Sequence, residues 1–232
     1  MKNPLVSIVI RSKNEERTIG KLFEKLKEQT YTNTEVILVD NESIDKTVEV
    51  AKKHKVNKII SVKNSEFFHP HSTNIGIKQA RGEYVVLTNG HCFPMSDTWI
   101  EDGLKSFTDL QVAGIDGHYF SGSNATTWQK DQEKLWKEVK QERLEGEHIS
   151  TTNAMIRKSL WQEYRFDESL PECEDYDWSQ EMRSRGYKIV KDPRFNVIHD
   201  HPLTESQWEG RVKVWDKLCA MIDKRKRPFK QN

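Results

Sequence analysis

Residues able to do chemistry collect just after short apolar runs. Arg11, Ser12, Lys13 and Asn14 follow LVSIVI (5–10). Asp40, Asn41, Glu42, Ser43 and Asp45 follow EVILV (35–39), and Asn89, Gly90, His91 and Cys92 follow YVVLT (84–88). These types suit a polar, anionic ligand. Arginine donates to anions, and a carboxylate accepts from imide N–H or hydroxyl groups. Imidazole either ligates a borderline metal or, when protonated, pairs with an anion. No phosphate-cradling GxxxxGK[ST] loop is present, and no G-x-G-x-x-G follows the first apolar run. An ordinary P-loop NTPase and a nicotinamide enzyme are therefore not expected.

The elements that must position these residues alternate. The β-branched runs at 5–10, 35–39, 58–62 and 84–88 read as buried strands. Between them lie helical patterns. Asn14 is the expected N-cap of a helix carrying Ile19, Leu22, Phe23 and Leu26, with Glu15 and Glu16 in its first turn. Ser43 or Asp45 caps a helix running to about His54, and a third helix through Ile75 and Ile77 stops before Gly82. Strand–helix alternation of this kind implies right-handed crossovers and a mainly parallel sheet. In such sheets ligands bind at the carboxyl ends of the strands, where the polar clusters fall.

The second half is less regular. Helices are expected over 97–107 and 126–146, from Asp175 to Gly186, and at the C-terminal end. There Trp208, Val212, Trp215, Cys219 and Ile222 share one face. Strands are expected near 112–118, 152–157, 188–190 and 195–198. The segment KRKRPFK (224–230) carries five positive charges and reads either as a solvated end or as a contact with anionic lipid. The 232 residues suffice for one sizeable domain, and the net charge of +1 argues against nucleic acid as a partner. Three widely spaced cysteines make neither a disulfide framework nor a zinc pattern. With no bilayer-length apolar run and no signal peptide, a cytoplasmic protein is expected, with peripheral membrane contact through the basic end as an option.

The order of the motifs carries a resemblance. VSIVIRSKNEERTIGKLFEKLKEQTYTNTEVILVDNESIDKT, then TNIGIKQARGEYVVL, NAMIRKSLW and the Glu-Asp of CEDYDW resemble family 2 glycosyltransferases. EFFHPHSTNIG and HDHPLTESQWEGR look more like their rhamnosyltransferase-like branch. The resemblance implies an α/β, single-domain A-type glycosyltransferase fold: a Rossmann-like, mainly parallel sheet flanked by helices, with a C-terminal amphipathic helix. It implies a donor-binding half at 1–118, an acceptor-binding and catalytic half at 119–203, and a C-terminal helix with its basic tail at 204–232. The implied reaction moves a sugar from a nucleotide diphosphate sugar to an acceptor hydroxyl with inversion. The acceptor would be a saccharide or lipid-linked molecule of bacterial surface glycan synthesis.

Carried over residue by residue, the resemblance makes Asp175 the general base, paired with Glu174; an acidic first helical turn would serve the macrodipole equally well. Arg11, Asn14, Asp40, Asn74, Asn89 and His91 fall in the nucleotide-sugar site. Asp40 would meet the base or ribose, or simply form a turn, and Asp45 reads as a helix cap. Asn89-Gly90-His91 departs from the family's Asp-x-Asp, which holds a divalent metal such as manganese or magnesium. His91 then either ligates a softer metal, with His199 as a second ligand, or pairs with phosphate directly, or metal use is lost. Trp178 is the candidate for stacking on the acceptor, whereas Trp208 and Trp215 read as core. Two rivals stay open: a degenerate protein that holds a nucleotide sugar without transfer, and a nucleotidyltransferase.

Overall fold

The computed structural model describes residues 3–121, 130, 143–199 and 204–227. Four strands, β1 (Val6–Ser12), β2 (Thr34–Asp40), β3 (Lys58–Ser61) and β4 (Tyr84–Asn89), form one half of an eight-stranded sheet. Its order is β3-β2-β1-β4-β9-β6-β10-β8, where β6 is Val112–Asp116, β8 Leu144–Gly146, β9 Asn153–Arg157 and β10 Lys188–Lys191. β1 to β4 run parallel, and β9 is inserted antiparallel between β4 and β6. β10 returns parallel to β6, so the carboxyl ends of β1, β4, β6 and β10 share one edge with the start of β9.

Helices cover both faces, which is why β1 is apolar on both sides. Ile8 and Ile10 pack with α1 (Ile19–Lys27), whereas Val9 joins Val39 and Ile77 of α3 (His69–Gln79) on the other face. Gly76 lets α3 sit close: a Cβ there would lie 2.3 Å from Val9 Cγ1 and 2.9 Å from Val39 Cγ2. The remaining helices are α2 (Thr47–Lys53), α4 (Trp99–Ser106), α5 (Lys158–Glu163), α6 (Glu174–Ser184) and α7 (Glu205–Ile222). A small second sheet, ordered β5 (Cys92–Pro94), β11 (Val197–His199), β7 (Tyr119–Phe120), stands beside the active edge.

Some sequence expectations change here. Asn14 is no N-cap: α1 starts at Ile19, and Asn14 sits at φ 54°, accepting from the Ile44 N–H at 2.9 Å. Glu15 and Glu16 are thereby in a loop and not in a helical turn. Asp45 is not the cap either: the N-cap of α2 is Lys46, and Asp45, one residue ahead, accepts from the Thr47 N–H at 2.9 Å in the turn that leads into the helix. Leu144–Gly146 pairs antiparallel with β10 as a strand, where a helix was expected. Of that expected helix, residues 126–129 and 131–142, with Trp128, Leu135, Trp136 and Val139, lie outside the described residues, as does His201.

Candidate active site

Arg11 gathers the edge. It is the penultimate residue of β1 and stands in register with Asn89 of β4. Its Nη2 donates to Asn89 Oδ1 and to Thr151 Oγ1, each at 3.2 Å. Its Nη1 donates to His69 Nδ1 at 2.9 Å and lies 4.0 Å from the Glu174 carboxylate. His69 therefore accepts as a neutral imidazole. Burial, then the charges of Arg11 and Arg211, pull its pKa down to about 3.

The acidic pair enters from the opposite side. Cys173, at φ 65°, turns the chain into α6, so Glu174 and Asp175 occupy its first turn. Asp175 Oδ2 accepts from the Thr151 N–H at 3.0 Å, and Oδ1 from the Tyr176 N–H at 2.8 Å. Each oxygen keeps a further lone pair for a ligand. Glu174 is buried, and its pKa is raised to about 7 by burial and then by the Asp175 charge, with Arg11 opposing. Two adjacent carboxyls are thus held in different environments.

A pair of imidazoles forms the third element. The β5–β11 ladder sets His199 opposite Cys92, which brings it to His91 in the preceding turn. The two Nε2 atoms are 2.9 Å apart while the ring centroids are 4.7 Å apart, so the nitrogen tips converge. His91 Nδ1–H donates to Glu15 Oε1 at 2.6 Å. Among the described residues no group of three or more His, Cys, Asp or Glu side chains is placed to hold a metal ion. The converging imidazoles still fit a divalent ion of borderline softness, with its other positions left to ligand oxygens and water.

These elements line one cavity of about 640 Å³ at the carboxyl edge of the sheet, and Arg11, Asn89, His91, Glu174, Asp175 and His199 all open onto it. Four expected residues do not. Asp40 faces a separate hollow with Ile44, Ile59 and Asn64, where its carboxylate accepts from the N–H (3.1 Å) and hydroxyl (2.5 Å) of Ser43. Asn14 lines neither space and ties its loop to the Ser43 turn. Asn74 is buried, donating to Phe166 O and Glu168 and accepting from Trp161 Nε1; it fastens α3 to the 166–168 loop. Trp178 is fully buried against Phe166, on the core side of α6, and cannot stack on an acceptor.

Sequence reasoning missed Thr151, which touches Arg11, Glu174 and Asp175, and it read Glu15 only as a helix-turn acid. It also misread α7. Trp208, Arg211, Val212 and Trp215 wall the cavity, and Trp215 Nε1 donates to Glu172 at 2.6 Å. An apolar stripe has the same spacing whether it meets a core or roofs a cavity. The basic end folds back as well: Arg225 pairs with Asp167 and Asp177, and Arg227 with Asp177 and Glu181. No helix among the described residues is long and apolar enough to cross a membrane.

Comparison with known proteins sets this geometry in a family. The sequence model of "Glycosyl transferase family 2" matches residues 7–165. The O-antigen chain rhamnosyltransferase WbaN of Salmonella anatum is 25% identical over 197 residues, which is 80% of this chain and 62% of that protein. A dolichyl N-acetyl-glucosaminyl phosphate diacetamido-glucuronosyltransferase of Methanococcus voltae is 29% identical over 123 residues, 48% of this chain and 38% of that protein. The chain thus spans less than two thirds of the length of these relatives. Among solved structures, the mannosyltransferase PcManGT from Pyrobaculum calidifontis, in complex with GDP-Man and Mn2+, superposes with a TM-score of 0.76 at 18% identity, over 98% of this chain and 67% of that one. S. aureus TarS in complex with UDP gives 0.62 at 17% identity, over 80% and 57%. These structural likenesses establish the A-type transferase architecture, and the sequence match over residues 7–165 makes the chain a member of glycosyl transferase family 2.

Proposed function

We propose that the chain transfers a sugar from a nucleoside diphosphate sugar to an acceptor hydroxyl with inversion, in the synthesis of a surface glycan or lipid-linked saccharide. The observation that carries this reading is the division of the cavity. Imidazoles and Arg11 lie along the β1 and β4 ends, and an acceptor-capable carboxylate, Asp175, comes from α6. A departing diphosphate needs the first, and an attacking hydroxyl needs the second.

In this reading Asp175 takes the proton of the acceptor hydroxyl as that oxygen attacks the anomeric carbon. The bond to the diphosphate breaks on the opposite face, so a single displacement inverts the configuration. The Thr151 N–H fixes the orientation of Asp175. Glu174 holds Arg11 and Thr151 in place and, with its raised pKa, adds little negative charge beside the base near neutral pH. Arg11, His91 and His199 meet the charge of the leaving group. A divalent metal, if bound, would be held by His91 and His199 and would neutralise charge on the diphosphate. The base or ribose is assigned to the hollow at the end of β2, where Asp40 keeps lone pairs beyond those engaged by Ser43.

The relatives support this reading by their printed activities, which are transfers of rhamnose and of a diacetamido-glucuronosyl unit. A β-1,3-glucosyltransferase of Escherichia coli that is 33% identical over 121 residues is named for a UDP-Glc donor and a diphosphoundecaprenol-linked acceptor. One observation favours the rival of binding without transfer: both Asp175 oxygens already accept a backbone N–H, as a helix-capping residue would. The test is release of nucleoside diphosphate from a panel of UDP-, GDP- and dTDP-sugars, with and without a lipid-linked saccharide. Acceptor-stimulated release supports transfer. A thermal shift with one donor and no release with any acceptor would support the rival.

A further inference from the structure

We infer that Cys173 and Cys219 form a reversible redox site. A low-molecular-weight disulfide such as glutathione disulfide converts the two thiols to an intramolecular disulfide, which latches α7 to the turn ahead of Glu174 and Asp175. The inference goes beyond the proposed transfer reaction and does not rest on it.

The fold brings together two cysteines that stand far apart in the sequence. Trp208, Val212, Trp215 and Cys219 line the cavity from one face of α7. Two hydrogen bonds set the register of that face against the start of α6. Trp215 Nε1 donates to Glu172 at 2.6 Å, and the Tyr176 hydroxyl donates to Asp223 at 2.9 Å. Cys219 lies about one helical turn from both Trp215 and Asp223, so it falls opposite the chain between Glu172 and Tyr176. Cys173 stands there, and its thiol donates to the Cys219 sulfur. Both thiols are partly exposed to the cavity, where a small disulfide can reach them, whereas the third cysteine, Cys92, is fully buried.

The pair suits a crosslink better than separate modification. Burial raises the pKa of both thiols, and the Asp175 charge adds to it at each. The hydrogen bond from Cys173 favours the thiolate of Cys219, which makes Cys219 the attacking sulfur. Its thiolate displaces one glutathione thiolate from the oxidant and forms a mixed disulfide. Cys173 then gives up its proton, attacks the Cys219 sulfur and displaces the second glutathione thiolate. Two protein thiols are oxidised, both sulfurs of the oxidant leave reduced, and the protons lost by the protein end on the two glutathiones. Glu172, Asp175, Asp216 and Asp223 surround the pair and repel a retained anionic glutathione.

The link ties α7 to the left-handed turn at Cys173, φ 65°, from which α6 starts. It closes a loop similar in length to the 43 and 47 residues spanned by the two flanking bonds. Closing that loop removes conformational freedom from the unfolded chain. The cavity wall is thereby held more firmly in an oxidising medium than in a reducing one.

The experiment equilibrates the full chain with excess glutathione disulfide and, in parallel, with dithiothreitol. Intact mass and thiol titration in denaturant report the chemistry, and urea unfolding reports the latch. The oxidised parent should lose two hydrogens in mass, keep one titratable thiol, and join Cys173 to Cys219 in a peptide map. Its folding equilibrium should shift roughly 30–10³-fold towards the folded state, and dithiothreitol should reverse the shift. Cys219→Ser and, separately, Cys219→Ala should form no link and show no shift with oxidant. Three free thiols in the parent after equilibration overturn the inference. So do stable glutathione adducts, a bridge through Cys92 or between two chains, or a link that leaves urea unfolding unchanged. No sugar donor enters the experiment, so these outcomes leave the transfer reaction untouched, and absence of transfer leaves the latch untouched.

Discussion

The guanidinium of Arg227 donates to the Asp177 carboxylate at 2.8 Å, and the two side chains are 6% and 0% exposed. Asp177 lies two residues beyond Asp175 on α6, so the C-terminal segment is fastened to the helix that carries the proposed base. Arg225 adds a second donor to Asp177 at 3.1 Å, and the Tyr164 hydroxyl donates to its other oxygen at 2.8 Å. Together with Trp215–Glu172, and with Tyr176 donating to Asp223, these bonds make α7 a built wall of the cavity.

Removing Arg227 should therefore unfold more than a tail. A buried carboxylate left with no partner costs about 3–5 kcal/mol, and because Asp177 keeps Arg225 and Tyr164 that figure is the upper bound here. Arg227→Ala should lose stability on that scale in urea unfolding, and Lys224→Ala, at an exposed position, should lose almost none. Equal, small effects of the two changes would return the whole basic end to the solvent or to a membrane.

Glu174 gives the fold a pH dependence of defined sign. Its pKa is raised to about 7 by burial and the neighbouring Asp175, so between about 4.5 and 7 the folded state holds more protons than the unfolded state. Its contribution is complete below about pH 4.5 and is lost as pH rises through 7. Glu174→Gln should flatten the stability profile over that window, and its stability relative to the parent should improve from pH 5 to pH 8. His69 has the opposite sign: its pKa is lowered to about 3, so its contribution is present above about 6.5 and lost as pH falls through 3. Urea midpoints at pH 5, 6, 7 and 8 for parent and Glu174→Gln check the claim; parallel profiles would contradict it.

Gly76 sets how close α3 comes to β1. Alanine is better than glycine in a helix by up to ~1 kcal/mol. Here its methyl would overlap Val9 and Val39, two buried side chains of adjacent strands. Overpacking of this kind costs about 1–3 kcal/mol, so Gly76→Ala should destabilise on balance. It should also loosen His69, at the head of α3, from Arg11, which diphosphate affinity would register. A stabilised Gly76→Ala protein would contradict the packing account.

What was legible in the sequence follows the range of the interactions. The four parallel strands, and the placement of Arg11, Asn89 and His91 at their ends, could be read because each depends on a local apolar run and its exit. The Glu174–Asp175 turn was legible for the same reason. Asn74 and Trp178 misled because a polar or aromatic residue beside a motif looks the same whether it faces the site or fastens two elements. Their partners, Phe166 and Trp161, are set by tertiary contacts. The clamp from Arg225 and Arg227 to Asp177 spans 48 and 50 residues, and no pattern of spacing announces it. Glu15 was read as an acid of the first helical turn, because its bond to His91 crosses 76 residues and leaves no local signal.

The account stands or falls on Asp175. Asparagine in its place keeps the shape and, through its one carbonyl oxygen, the hydrogen bond from either the Thr151 or the Tyr176 N–H but not both, and it cannot take a proton. The decisive measurement is turnover with a working donor and acceptor beside donor affinity by calorimetry, for parent and Asp175→Asn at equal folded concentration. Turnover should fall by about 10²–10⁴ with donor affinity unchanged, because the proton comes from the acceptor. Near-parental turnover by the variant would contradict the assignment, as would loss of donor binding from an intact fold.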